Sequence, residues 1–205
     1  MGNLEVYRHK RDFRRTPEPA GELAAEAEGR RFVVQRHRAS RLHYDLRFEM
    51  DGVLVSWAVP KGPTLDPAVR RLAMHVEDHP VEYLHFEGVI PAREYGGGDV
   101  IVWDTGTWEP VHTDDPGAAV RDGELHAEVH GSKLRGRLVL VRRDDRSSDS
   151  DGSEEWMLLH KRDEHAVEDW DPEDHPRSVL SGRTNDEVQA DPDRLWRSDA
   201  PAAEA

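Results

Sequence analysis

The sequence predicts a mainly β fold, a compact antiparallel β-barrel with short flanking helices. Three observations carry that expectation. From Phe32 to about Val141 the apolar residues recur with period 2, as on strands with one buried face. Two such runs are joined by Asp51-Gly52, a pair that favours a tight hairpin turn. The remaining runs are short and separated by Gly, Pro and Asp, with few helical signals between them.

Taken in order, residues 1–30 form a polar arm in which only GELAAEAEG is compatible with a short helix. In RLHYDLRFEM, Leu42, Tyr44, Leu46, Phe48 and Met50 alternate with Arg41, His43, Asp45, Arg47 and Glu49. After Asp51-Gly52 comes VLVSWAV, the partner strand. Asp66 before Pro67 reads as an N-cap opening a short helical turn, DPAVRR. RLAMHVE, DVIVWD, ELHAEVH and RLVLVRR read as further strands, and WMLLHK at 156–161 as another. Asp115-Pro116 through Gly123 carries the start and stop signals of a short helix. Gly96-Gly97-Gly98 lacks the helix and lysine of a phosphate loop, so it reads as a turn between strands. The expected organisation is an arm over 1–30, a barrel over 31–163 with a disordered acidic loop at 144–155, and a flexible acidic tail over 164–205, in which Trp170 and Trp196 are candidates for docking the tail back onto the barrel.

Composition narrows the function. The 205 residues hold no cysteine, which excludes disulfides, thiolate metal sites and a Cys nucleophile. No apolar run approaches the roughly 20 residues of a membrane span, and the start has no signal-peptide core, so a cytoplasmic protein is expected. The net charge of −14 argues at first against a nucleic-acid partner. The acidity is uneven, however. Residues 1–47 carry 11 Lys/Arg against 7 Asp/Glu, whereas residues 144–205 carry 7 against 19.

On the strand at 42–50, His43, Asp45 and Arg47 share one face, roughly 7 Å apart at each step, opposite a wholly apolar face. Water does not select His, Asp and Arg for a solvated face. An imidazole and a carboxylate at that spacing present themselves to one cation, and His37 offers a third ligand. Two His and one carboxylate leave coordination positions open and suit Mn, Fe or Zn. Arg47 supplies a fork for a phosphate or carboxylate beside the metal. Taken alone, His79 before Pro80 reads as a surface residue and Tyr83 as a core aromatic with a wet tip. His75, His126 and His130 fall on polar strand faces and read as solvated.

Two blocks, FVVQRHRASRLHYDLRFEMDGVLVSWAVPKGPTLDP and RLAMHVEDHPVEYLHFEGVIPAREYGGGDVIVWDTGTWEP, closely resemble the 3′-phosphoesterase domain of bacterial DNA ligase D. YRHKRDFRRTPEP and KLRGRLVLVRR with EWMLLHKRDE resemble its opening and closing segments, so the likeness covers roughly residues 7–163. The chain resembles the stand-alone form of that domain.

The resemblance implies a β-barrel that heals DNA 3′ ends with manganese, or another divalent transition metal. It removes a terminal ribonucleoside and then the 3′-phosphate, on primer–template ends, leaving a 3′-OH for a separate DNA ligase, polymerase or Ku to use. It implies His37, His43 and Asp45 as metal ligands, Arg47 and His79 on the scissile phosphate, and Tyr83 as a further active-site residue. Arg11, Asp12 and Glu18 match positions tied to ribonucleoside removal, so all three are expected to fold over the barrel and engage the terminal ribonucleoside rather than the phosphate. A protonated His79 is a candidate general acid. Arg36, Arg38, Arg41 and Lys61 are candidates for holding the DNA backbone. Two rival readings remain: a non-haem Fe(II) oxygenase, and a non-catalytic DNA-end-binding module.

Overall fold

The computed structural model describes residues 4–21, 29–143 and 154–192. The helix expected in GELAAEAEG, nearly all of the acidic loop and Trp196 lie outside them. Nine strands follow a short helix α1 (Glu5–His9): β1 (Arg31–Arg38), β2 (Leu42–Met50), β3 (Val53–Val59), β4 (Arg70–His79), β5 (Gly88–Ile90), β6 (Gly98–Pro110), β7 (Glu124–Gly131), β8 (Arg135–Arg142) and β9 (Glu154–His160). Among the described residues, helices α2 (Pro116–Asp122) and α3 (Asn185–Ala190) complete the set, with 3-10 turns at Val81–His85 and Pro172–Asp174.

Eight strands pair antiparallel in the order β1-β2-β3-β4-β9-β8-β7-β6, and β6 returns to β1 to close the barrel. The long β6 makes this possible: its first half pairs with β1 and the short β5, its second half with β7. Asp51 and Gly52 both have positive φ (52° and 78°), the backbone a two-residue hairpin needs between β2 and β3. Asp115 caps α2 by accepting the Ala118 N–H at 2.8 Å, and Gly123 ends it at φ 95°. At Asp66 the cap forms without a helix. Its carboxylate accepts from Ala68 at 2.8 Å and from Asp169 at 3.0 Å, and β4 begins at Arg70. The three-residue run Pro67–Val69 is too short to close a helical ladder.

The even positions of β2 point inward as expected. Tyr44, Leu46 and Phe48 join Trp57, Trp103, Trp108 and Trp156 in the barrel core. The opposite face of the same strand is also largely buried. Tyr7, Val33, Leu54, Tyr83, Leu84, Phe86 and Val102 make a second apolar cluster on the outer wall, where the arm and the Val81–His85 turn lie over the barrel. The polar outward residues of β1 and β2 are therefore roofed rather than solvated.

Residues 164–192 do not behave as a flexible tail. Thr64 donates to the Trp170 carbonyl at 2.7 Å, the Trp170 ring packs 6.0 Å from Trp103, and Val179 N–H donates to Val102 at 2.9 Å. Val188 is fully buried, and a capping box built on Thr184 and Glu187 starts α3. Acidity here is local complementarity. Glu173 binds Arg36 and the Tyr44 hydroxyl, and Asp186 binds Arg38. Two of the basic residues expected to face DNA are thus already paired, while Arg41 and Lys61 stay exposed.

Candidate metal and phosphate site

The site lies on the outer wall where β1, β2 and β4 run side by side with β3. Register places His37 opposite His43 and Gln35 opposite Asp45 across β1 and β2, and Arg47 opposite Ser56 across β2 and β3. His79 ends β4 opposite Leu54, beside a register shift between Leu54 and Ser56. His37, His43, Asp45, Arg47 and His79 line a pocket of about 210 Å³, which the arm closes with Arg11 and Glu18.

Nδ1 of His37 lies 3.4 Å from Oδ2 of Asp45, and Nε2 of His43 lies 3.6 Å from the same oxygen. One donor atom from each of the three falls within 4.8 Å of the others. The other nitrogen of each ring faces a backbone carbonyl. His37 Nε2 donates to Gly96 at 2.8 Å and His43 Nδ1 donates to Arg41 at 3.1 Å. A carbonyl oxygen only accepts, so those nitrogens carry protons, and the Asp45-facing nitrogens are the ones placed to ligate. Two imidazoles and a carboxylate, each ring fixed by its outer hydrogen bond, fit a divalent first-row metal. Burial raises the Asp45 carboxyl, but Arg47 and the two histidines hold it well below the usual range. Burial lowers the His43 imidazole, yet Asp45 outweighs it and the net shift is upward.

Arg47 is held on several sides. Its Nε donates to Gln35 at 2.9 Å, its Nη1 to Ser56 at 2.9 Å, and its Nη2 lies 3.3 Å from Asp45. Nη1 is also 2.9 Å from Nδ1 of His79, while Nη2 of Arg11 is 3.3 Å from Nε2. Far from a surface loop residue, His79 is buried between two guanidiniums, with Nδ1 a further 2.8 Å from the Glu77 carbonyl. Burial first, then Arg47 and Arg11, push the imidazole well below 6.5. This environment holds His79 neutral, which disfavours the general-acid role expected for it.

The arm divides into residues that reach the site and one that does not. Glu18 is buried and accepts from Arg11 Nε at 2.8 Å, Thr16 at 2.8 Å and the Tyr83 hydroxyl at 2.9 Å. Burial, then Glu18, push the Tyr83 phenol well above 10.0, so it stays protonated and donates. The Arg11 guanidinium lies 3.9 Å over the Tyr7 ring and 3.3 Å from Glu77. Asp12 does not line the pocket and pairs with Arg14. The spacing of KRDFRRTPEP made Arg11 and Asp12 look equivalent, but adjacent residues in a turn diverge.

Gln35, Ser56, Glu77 and the Gly96 carbonyl were missed by sequence reasoning. Three of them only orient other groups, and Gly96 acts through its backbone, so residue type carries no trace of the role. Gly96 has φ 74°, and a Cβ on Gly98 would stand 2.1 Å from the Arg38 carbonyl, so the glycine run serves backbone geometry beside His37.

Fold and site define a closed antiparallel barrel bearing a candidate two-histidine, one-carboxylate metal centre on its outer wall, next to paired buried guanidiniums. The DNA Ligase D 3′-phosphoesterase domain model matches residues 35–142. A Pseudomonas aeruginosa protein, "Multifunctional non-homologous end joining protein LigD", is 50% identical over 186 residues, covering 88% of this chain and 21% of that one. The Mycobacterium tuberculosis "Multifunctional non-homologous end joining DNA repair protein LigD" is 50% identical over 142 residues, 68% of this chain and 18% of that one. This chain belongs to the DNA ligase D 3′-phosphoesterase domain family. It spans about a fifth of the length of the curated relatives it matches.

Proposed function

We propose that this chain is a metal-dependent phosphoesterase acting on DNA 3′ ends, with manganese as its metal. It removes a 3′-terminal ribonucleoside by phosphodiester cleavage and then the remaining 3′-phosphate. The resulting 3′-OH serves a DNA ligase or polymerase in end joining, with Ku a candidate companion at the break and the cytoplasm as the place of action. The observation that carries this reading is the juxtaposition of His37, His43 and Asp45 with two buried guanidiniums in one pocket. That arrangement neutralises a phosphate beside a metal. Within this reading residues 1–30 serve the active site as an arm over the barrel domain of 31–163.

His37 Nδ1, His43 Nε2 and Asp45 would hold the metal, which when bound supplies Lewis acidity and an acidified water. The protein's own groups do the rest. Arg47, fixed by Gln35 and Ser56, directs its guanidinium at a non-bridging phosphate oxygen without reorganising. Arg11 supplies a second positive charge, held by Glu18 and Glu77. His79 contributes a neutral imidazole that bridges the two guanidiniums and holds their spacing. The Tyr83 hydroxyl fixes Glu18 and, through it, the arm. The oxygenase and non-catalytic readings have no comparable support, and family membership favours phosphoester chemistry.

The test is a primer–template ending in one 3′ ribonucleotide, incubated with Mn(II) and resolved by product length and end group. Sequential appearance of the 3′-phosphate and 3′-OH products, abolished in His43→Ala, is expected. Binding without turnover under any divalent metal would refute the proposal.

A further inference from the structure

We infer that Tyr95 is the platform on which a base flanking the scissile phosphate stacks; this rests on the phosphoesterase reading above. The pocket of about 210 Å³ is smaller than the roughly 300–1,000 Å³ of sites that enclose a drug-sized ligand. It has room for a phosphate against the buried guanidiniums but not for a nucleoside as well. The base attached to that phosphate must therefore lie at the mouth. Of the fifteen residues that line the pocket, Tyr95 alone is exposed, at 49%. Exposed aromatics at a nucleic-acid site are used for stacking, because every base presents a π-face.

The placement of Tyr95 is built rather than incidental. It precedes Gly96, whose carbonyl holds His37, so the ring and the metal centre share one loop. The Lys10 ammonium lies 4.8 Å from the ring centroid and donates to the hydroxyl at 3.2 Å, and the Arg11 guanidinium lies 5.4 Å from the centroid. Lys10 is in turn tied to Glu77 at 3.1 Å. The arm thus fixes the ring while leaving about half of the residue open, and the two cations favour a neighbouring phosphate. Stacking is indifferent to base identity, which suits an enzyme that must accept any 3′ end.

Tyr95→Ala and Tyr95→Leu are expected to raise KM about 10-fold on at least one of the two substrates, the ribonucleotide-ended or the 3′-phosphate-ended strand, with kcat within about two-fold. Tyr95→Phe and Tyr95→Trp should stay close to the parent, since they keep a ring and forgo only the Lys10 hydrogen bond. A direct reading uses 2-aminopurine at the terminal or the penultimate position, with EDTA present to prevent turnover. Quenching on binding at one of these positions, lost in Tyr95→Ala, is the expected result. KM unchanged on both substrates, or quenching at neither position despite binding, would overturn the inference while leaving the phosphoesterase reading intact. Loss of both activities in the parent protein would instead strike that reading. Unchanged melting temperatures of the variants show that a rise in KM is not unfolding.

Discussion

Replacing Glu18 by Gln separates a carboxylate that contacts the substrate from one that only holds other groups in place. Glu18 is buried and accepts from Arg11 at 2.8 Å and Tyr83 at 2.9 Å through one oxygen, and from Thr16 at 2.8 Å through the other. The amide keeps the shape, and the Thr16 hydroxyl can reverse its role and accept. The Tyr83 bond becomes a neutral one, and the Arg11 bond keeps only the guanidinium's charge. Each then weakens by about 1–1.5 kcal/mol, on the scale that separates charge-assisted from neutral hydrogen bonds. The total is about 2–3 kcal/mol, and Glu77, 3.3 Å from Arg11, tempers the loss toward the lower figure. Expressed as lost positioning of Arg11 and Tyr83, about 2 kcal/mol is roughly a 30-fold fall in kcat/KM. Both groups line the pocket proposed for the phosphate, which is common to the two substrates. Ribonucleoside removal and 3′-phosphate removal should therefore fall together, unlike the selective loss that the sequence led us to expect. Steady-state kinetics on the two substrates side by side decides the matter. A loss confined to the ribonucleotide substrate would refute the reasoning and place Glu18 on the sugar.

Asp12→Ala should leave both activities within about two-fold, as for other exposed ion pairs, because its partner Arg14 lies outside the pocket; a ten-fold loss in kcat/KM would show that the arm rearranges on DNA. Arg47→Lys should lower kcat about 10²–10³-fold, since one ammonium cannot serve Gln35, Ser56, Asp45 and a phosphate together; near-parental turnover would show that charge alone suffices. Acid should destabilise the fold through His79, whose folded-state pKa lies well below 6.5: the unfolded chain takes up a proton that the folded one refuses, so stability falls as pH drops below about 6.5, by at most about 1.4 kcal/mol per pH unit. Chemical denaturation of His79→Asn should show a flatter acid limb than the parent; His43, shifted upward, acts in the opposite sense in both proteins and does not affect the difference. Removing residues 164–205 should lower the melting temperature, because it uncovers the Trp103 end of the barrel and leaves Arg36 without Glu173; an unchanged melting temperature would mean that the segment rests on the barrel without supporting it.

Much of this protein is local in origin and therefore readable in order along the chain. Alternation of Tyr44, Leu46 and Phe48 with His43, Asp45 and Arg47 is a consequence of the pleat, so it placed three site residues on one face before any tertiary contact was known. Asp51-Gly52 and Asp115 through Gly123 acted through backbone preferences that depend on their own side chains. Other features depend on elements far apart in sequence, which no local pattern encodes. That the face carrying His43 and Arg47 is roofed rather than wet depends on Tyr7 and Tyr83 arriving from an arm and a turn. The neutrality of His79 depends on burial beneath the arm and the turn, then on Arg47 and on Arg11, 68 residues away. Residues 164–192 read as a solvated acidic tail because acidity alone predicts repulsion. Only the folded β1, presenting Arg36 and Arg38 at the barrel edge, turned that charge into attraction and drew the segment onto the surface.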